Sequence, residues 1–354
     1  MNLTTWGWDS FFDEHFAPYA AEELAAGRVA VQHNRNYKLY TQWGELDAEA
    51  SGRLRYLAAD ASELPVVGDW VVIRPVPGEQ KAVMQAILPR KSQFSRKIAG
   101  RRTEEQVIAA NIDTVFLIAG LDGDFNLRRL ERYLILAAES GAFPVVVLNK
   151  ADLRDDLASL VRDVESIAPA VAVLATSVLT GQGMEALSSY LGPGQTVALL
   201  GSSGVGKSSL INRLLGQSRQ KIADVIAETS RGRHTTTQRE LLCLPSGGLV
   251  IDTPGMRELQ LWSDGEGFEE TFEEIEALAL QCHFTNCRHS SEKKCAVQEA
   301  IRNGTLAPER YESYLKVQRE LAFLADKQQH PASYVEKQRW KKAATAIAQM
   351  KKPR

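Results

Sequence analysis

The chain has 354 residues, 44% hydrophobic and 24% charged, with a formal net charge of -2. That length suits two or three domains, and the balance excludes a uniformly basic nucleic-acid binder. No apolar run reaches the ~18 residues of a membrane span, and Asp9, Asp13 and Glu14 among the N-terminal aromatics do not fit a secretory leader.

Residues 1–27 read as an N-terminal extension, helical over 16–26. Residues 28–95 read as a small barrel. Its expected strands are Arg28–Gln32, Tyr37–Tyr40, Gly52–Tyr56, Asp69–Ile73 and Lys81–Ile87, separated by Gly, Pro, Asn and Asp. Five short strands in this length suit an OB-fold, with an SH3-like barrel as the competing arrangement. Residues 90–103 carry Arg90, Lys91, Arg96, Lys97, Arg101 and Arg102 without an acid. Such a run suits either a polyanion-facing linker or a solvated face.

Residues 96–265, which include that basic linker, read as a doubly wound α/β domain with a mostly parallel sheet. Apolar runs at 114–118, 145–148, 171–174, 197–200 and 249–251 are the expected strands, and 127–140, 184–191 and 208–215 the helices. Asn149-Lys150-Ala151-Asp152 follows the second strand and reads N-K-x-D. The Asp152 carboxylate can accept from guanine N1–H and N2–H, a donor pair that adenine lacks. Lys150 would pack along the base, and Thr176 and Ser177, after the third strand, would add a backbone contact.

Gly201-Ser202-Ser203-Gly204-Val205-Gly206-Lys207-Ser208 reads G-x-x-x-x-G-K-S between a strand and a helix, the context of a phosphate-binding P-loop. Its amides would cradle phosphates, Lys207 would reach the β- and γ-phosphates, and Ser208 would ligate Mg2+. Ser209 completes the expected nucleotide set. Within the run 230–237, one of Thr235, Thr236 and Thr237 should ligate Mg2+, with Thr236 favoured. Asp252-Thr253-Pro254-Gly255 reads D-x-x-G: Asp252 would hold Mg2+ through water, and the Gly255 amide would sense the γ-phosphate. Met256 stands where many GTPases carry a water-orienting glutamine, so His234 becomes the candidate for that role. N-K-x-D precedes the P-loop here, the reverse of the ordinary GTPase order, so the domain reads as circularly permuted.

Residues 266–354 read as a helical unit with a metal site. Cys282, Cys287, His289 and Cys295 give C-x4-C-x-H-x5-C, a complete tetrahedral set for one structural Zn2+. His283 is a competing ligand, and Cys243 reads as core. Residues 264–276 are acidic without a base; 308–327 and 334–350 are expected helices, and residues 337–354 form a basic end with Trp340 as an aromatic stacker.

Together these motifs resemble the RsgA (YjeQ) family of circularly permuted GTPases, from about residue 28 to the C-terminus. The resemblance implies an OB-fold, a permuted GTPase domain and a zinc domain. It also implies hydrolysis of GTP to GDP stimulated by the small (30S) ribosomal subunit, contact with 16S rRNA, His234 as the catalytic histidine, and a cytoplasmic, monomeric protein. Competing functions are an RNA-binding module with incidental hydrolysis, an ATP-using P-loop enzyme, and GTP-dependent handling of tRNA or mRNA.

Overall fold

The computed structural model describes residues 2–20, 23–98, 104–123, 125–216, 239–252, 266–290 and 292–329. The chain forms two compact units: residues 1–96 with 106–260, and residues 97–105 with 261–354.

The first unit begins with a barrel of β1 (Ala25–His33), β2 (Asn36–Thr41), β3 (Gly44–Ala50), β4 (Trp70–Pro75) and β5 (Lys81–Ile87). The strands run in the order β1-β2-β3-β5-β4, and β4 pairs back onto β1 to close the ring. This is the OB-like arrangement. Period-two alternation points Val29, Leu39, Leu46, Val71, Ile73 and Met84 into its core.

Two local expectations fail here. Residues 52–56 are not a strand: Gly52–Leu57 is a helix whose start is capped by the Ser51 hydroxyl, accepting from the Leu54 N–H at 3.0 Å. The missing strand is β3, whose Glu45, Asp47 and Glu49 disguise the inward alternation of Leu46, Ala48 and Ala50. Nor does a helix cover 16–26. The N-terminal helix is Ser10–Phe16, and Ala25 and Ala26 already pair with Ile73 and Val72 in the barrel. Burial in the sheet overrides the helix preference of alanine.

The N-terminal segment packs inward. Trp8 meets Trp70 edge to face at 4.8 Å, and Phe12 is buried beside them. Arg28 is buried and donates to the carbonyls of Gly68, Asn111 and Trp6. Desolvation pulls its pKa down to about 10.

Arg90 is also structural. It grips both Asp69 carboxylate oxygens at 2.8 Å, and the Val66 N–H donates to the same carboxylate at 2.8 Å. Burial pushes the Asp69 carboxyl up and Arg90 opposes that shift. The first residue of the basic run therefore does not face a polyanion. Asp69→Ala would strand the guanidinium, so it should destabilise the first unit by about 3–5 kcal/mol, read as a lower urea midpoint.

After the two-stranded ribbon of β6 (Gln93–Ile98) and β7 (Glu104–Ala110) comes the second sheet. Its strands are β8 (Thr114–Gly120), β9 (Phe143–Asn149), β10 (Ala172–Thr176), β11 (Thr196–Gly201), β12 (Arg239–Cys243) and β13 (Leu249–Asp252). They run in the order β10-β9-β8-β11-β13-β12, parallel except for β12. The chain enters at central β8, steps outward to β10, then returns beside β8 as β11. The β8–β11 boundary is the topological switch point, where α/β folds bind ligands. Helices Leu127–Ser140, Leu157–Ile167, Met184–Ser188 and Lys207–Leu215 connect the strands. β12 also pairs with β1 at Val31↔Glu240 and Gln32↔Arg239, so barrel and nucleotide sheet form one continuous ladder.

In the second unit, helices Glu266–Thr271, Glu273–Ala279, Ala296–Arg302 and Pro308–Gln329 bury Phe272, Ile275, Val297 and Val317. Part of the acidic run is used internally: Glu274 accepts from Arg310 at 2.6 Å, and Glu276 accepts from the Tyr314 hydroxyl at 3.0 Å. The expected helix at 334–350 lies outside the described residues.

Candidate nucleotide-binding site and metal centre

Parallel pairing brings the C-terminal ends of β8, β9, β10, β11 and β13 to one edge of the sheet. Asn149, Thr176, Gly201 and Asp252 end four of these strands. Loops can open there onto a ligand without breaking the ladder.

The P-loop is built as its sequence requires. Gly204 and Gly206 have φ of 85° and 101°, in the left-handed region that favours glycine. A Cβ on Gly206 would also collide with the Asn149 side chain, and one on Gly201 with the Ile118 carbonyl. The helix then starts at Lys207, with Ser208 and Ser209 exposed in its first turn. The N–H groups of its first turn and its dipole suit an anion. The Lys207 ammonium donates to the carbonyls of Gly201 and Ser202, so it already lies against the loop.

Asn149 connects the motifs. Its amide donates to the Val205 carbonyl at 2.8 Å and accepts from the Thr176 hydroxyl at 3.3 Å. Asn149 is buried, and these two bonds tie the end of β9 to the P-loop and to β10. Lys150 adopts φ 65°, strained for a lysine, and donates to the Gly204 carbonyl at 2.8 Å. Ala151 is buried beneath the turn, and Asp152 is exposed on the 3-10 turn Ala151–Leu153. The Ser177 N–H already donates to the Gln182 carbonyl at 2.9 Å, closing the loop that follows β10.

Ser202 is held from outside the motif: its hydroxyl accepts from Arg129 and lies 3.4 Å from the Tyr133 hydroxyl. Both belong to helix Leu127–Ser140, capped by Asn126. These residues carry no motif of their own, so the sequence does not announce them. Asp122, paired with Lys150, was also missed. Its signal is the run Gly120-Leu121-Asp122-Gly123 at a strand end. His234, Thr235, Thr236, Thr237 and Gly255 lie outside the described residues.

In the second unit the four candidate metal-ligand atoms of Cys282, Cys287, His289 and Cys295 lie within 4.8 Å of one another. Cys282 Sγ is 3.8 Å from Cys295 Sγ, and His289 Nδ1 is 3.4 Å from each of these sulfurs. With Zn–S of about 2.3 Å and Zn–N of about 2.0 Å, tetrahedral edges are about 3.8 Å and 3.5 Å, so the donor set fits Zn2+. His289 has φ 54°, and its carbonyl accepts from Gln298 at 2.7 Å and Tyr311 at 3.1 Å. These bonds hold the imidazole turned into the cluster. Cys295 accepts from the Gln298 N–H at 3.4 Å, capping helix Ala296–Arg302. Cys243 is a half-buried free thiol on β12 and is not one of these four ligands.

Comparison with known proteins agrees with this geometry. The model of the RsgA GTPase family matches residues 87–262. An ABC transporter model also overlaps residues 184–350, a stretch that includes the P-loop. A small ribosomal subunit biogenesis GTPase RsgA of Opitutus terrae is 48% identical over 97% of this chain and 96% of its own. The protein of that name from Methanosarcina acetivorans is 42% identical over 98% of this chain and 92% of its own. The crystal structure of YjeQ from Thermotoga maritima superposes with a TM-score of 0.62 at 30% identity, covering 84% of this chain and 99% of that one. YloQ, a circularly permuted GTPase, shares the fold, with a TM-score of 0.59 at 23% identity, 87% of this chain and 96% of that one. With a permuted site joined through Asn149 and relatives matching nearly its whole length, the chain belongs to the RsgA GTPase family.

Proposed function

We propose that this chain hydrolyses GTP to GDP and phosphate during late maturation of the small ribosomal subunit, and that the subunit stimulates turnover and release. The observation that carries the nucleotide half of this reading is the Asn149–Val205 hydrogen bond, which docks N-K-x-D against the P-loop despite their reversed order. The relatives' names support the ribosomal half.

In this reading Asp152 selects guanine, with Lys150 along the base. Residues 201–209 hold the phosphates through backbone N–H groups and Lys207. Ser208, Thr236 and Asp252 would hold Mg2+, and the bound ion would supply positive charge against the phosphate oxygens. Gly255 senses the γ-phosphate, and His234 orients the attacking water in place of glutamine. The barrel of 28–95 and the helical unit of 266–354, holding one structural Zn2+, supply the contacts to 16S rRNA, while 96–265 carries the nucleotide. The protein acts as a cytoplasmic monomer; no described helix is long and apolar enough to cross a membrane.

The test is GTP hydrolysis by purified protein alone, with small subunits, with large subunits and with free tRNA. Stimulation by small subunits only is expected, and His234→Ala should abolish most of it. Equal slow hydrolysis in all four conditions would replace this reading with an RNA-binding module in which hydrolysis is incidental.

A further inference from the structure

We infer that Asp122 is a positioning residue of the guanine site, acting through Lys150. The inference rests on the nucleotide reading above and adds a residue that no motif contains.

Lys150 Nζ is shared between two acceptors from different loops: the Gly204 carbonyl of the P-loop at 2.8 Å and the Asp122 carboxylate after β8. The lysine stem therefore bridges from the N-K-x-D turn to the P-loop. One neutral carbonyl is a weak anchor for a long, half-exposed cation, whose rotamer entropy is large. A carboxylate makes a stronger, charge-assisted bond and removes most of the alternative positions.

The placement of Asp122 is built into its loop. Leu121 is buried, and its N–H donates to the Asn149 carbonyl at 2.9 Å, tying the loop to the N-K-x-D strand. Gly120 leaves room for the carboxylate: a Cβ there would stand 2.8 Å from Asp122 Oδ1 and 3.4 Å from Val205 Cα. Gly123, at φ 97°, turns the chain away. The Lys150 ammonium in turn holds the Asp122 carboxyl below the usual carboxylate range. Three loops thus meet at one ammonium, and a nucleotide base entering beside Asp152 meets a lysine already in place. Pre-organisation of this kind raises affinity by removing an ordering cost from binding.

The experiment is calorimetric titration of GDP into the full-length protein and its Asp122→Asn, Asp122→Glu, Lys150→Ala and Asp122→Asn/Lys150→Ala variants. The pair is partly exposed, so Asp122→Asn should weaken GDP binding about three- to fivefold, with the difference shrinking as salt rises. Asp122→Glu should recover most of the affinity. In the Lys150→Ala background, Asp122→Asn should have no further effect, which a merely structural role would not produce. Unchanged GDP affinity in Asp122→Asn, or additive losses in the double variant, would overturn the inference while leaving the nucleotide reading intact. Failure of the wild-type protein to bind GDP would overturn both.

Discussion

Asp152→Asn should turn a guanine site into a xanthine site. The carboxylate can accept from both guanine N1–H and N2–H; an asparagine amide can accept only one and aims its own N–H at the other. A hydrogen bond to a charged group is worth about 1.5–3 kcal/mol, so losing one of the two should lower GTP affinity by about one to two orders of magnitude, and the opposed donors lower it further. Xanthine carries a carbonyl where guanine carries its amino group, and the amide complements it, so XTP binding and hydrolysis should appear as GTP binding is lost. Asp152 is exposed on its turn, so the change should leave stability within about 0.5 kcal/mol. Affinities for GTP, XTP and ATP, with urea unfolding as the control, check this. A variant that keeps its GTP preference would remove Asp152 from the site.

Loss of the metal should unfold the second unit. Its described helices bury one small core around Phe268, Phe272, Ile275, Tyr314 and Val317, and three thiols converge with His289. Without a metal that convergence gains little, whereas a structural Zn2+ contributes about 10–16 kcal/mol in small zinc domains. Elemental analysis should find one zinc per chain, and a strong chelator should release it with a cooperative loss of helix signal. Cys295→Ser should act like the chelator, because Cys295 is buried and also caps helix Ala296–Arg302. Zinc-free protein with an unchanged unfolding transition in that variant would refute a structural metal.

The parts legible in the sequence share one property: their chemistry lies in neighbouring residues. Gly204, Gly206 and Lys207 form a strand–loop–helix element whose backbone needs are local. Continuous apolar runs such as Val145–Leu148 mark strands covered on both faces. Misreadings arose where distant burial decided the outcome. The acids of β3 masked an alternation that only barrel closure makes meaningful. Arg90 belongs to a basic run by sequence but to Asp69 by structure, 21 residues away.

By itself the sequence determined which groups are available: a P-loop, the aspartate of N-K-x-D, four zinc-type ligands, and their permuted order along the chain. Tertiary structure decided which of them meet. Asn149 reaches Val205 across 56 positions, and Asp122 reaches Lys150 across 28. The reason is geometric. Parallel strands deliver their C-terminal ends to one edge whatever their order in the chain, so contacts between those ends are set by strand order in the sheet, which local patterns do not encode.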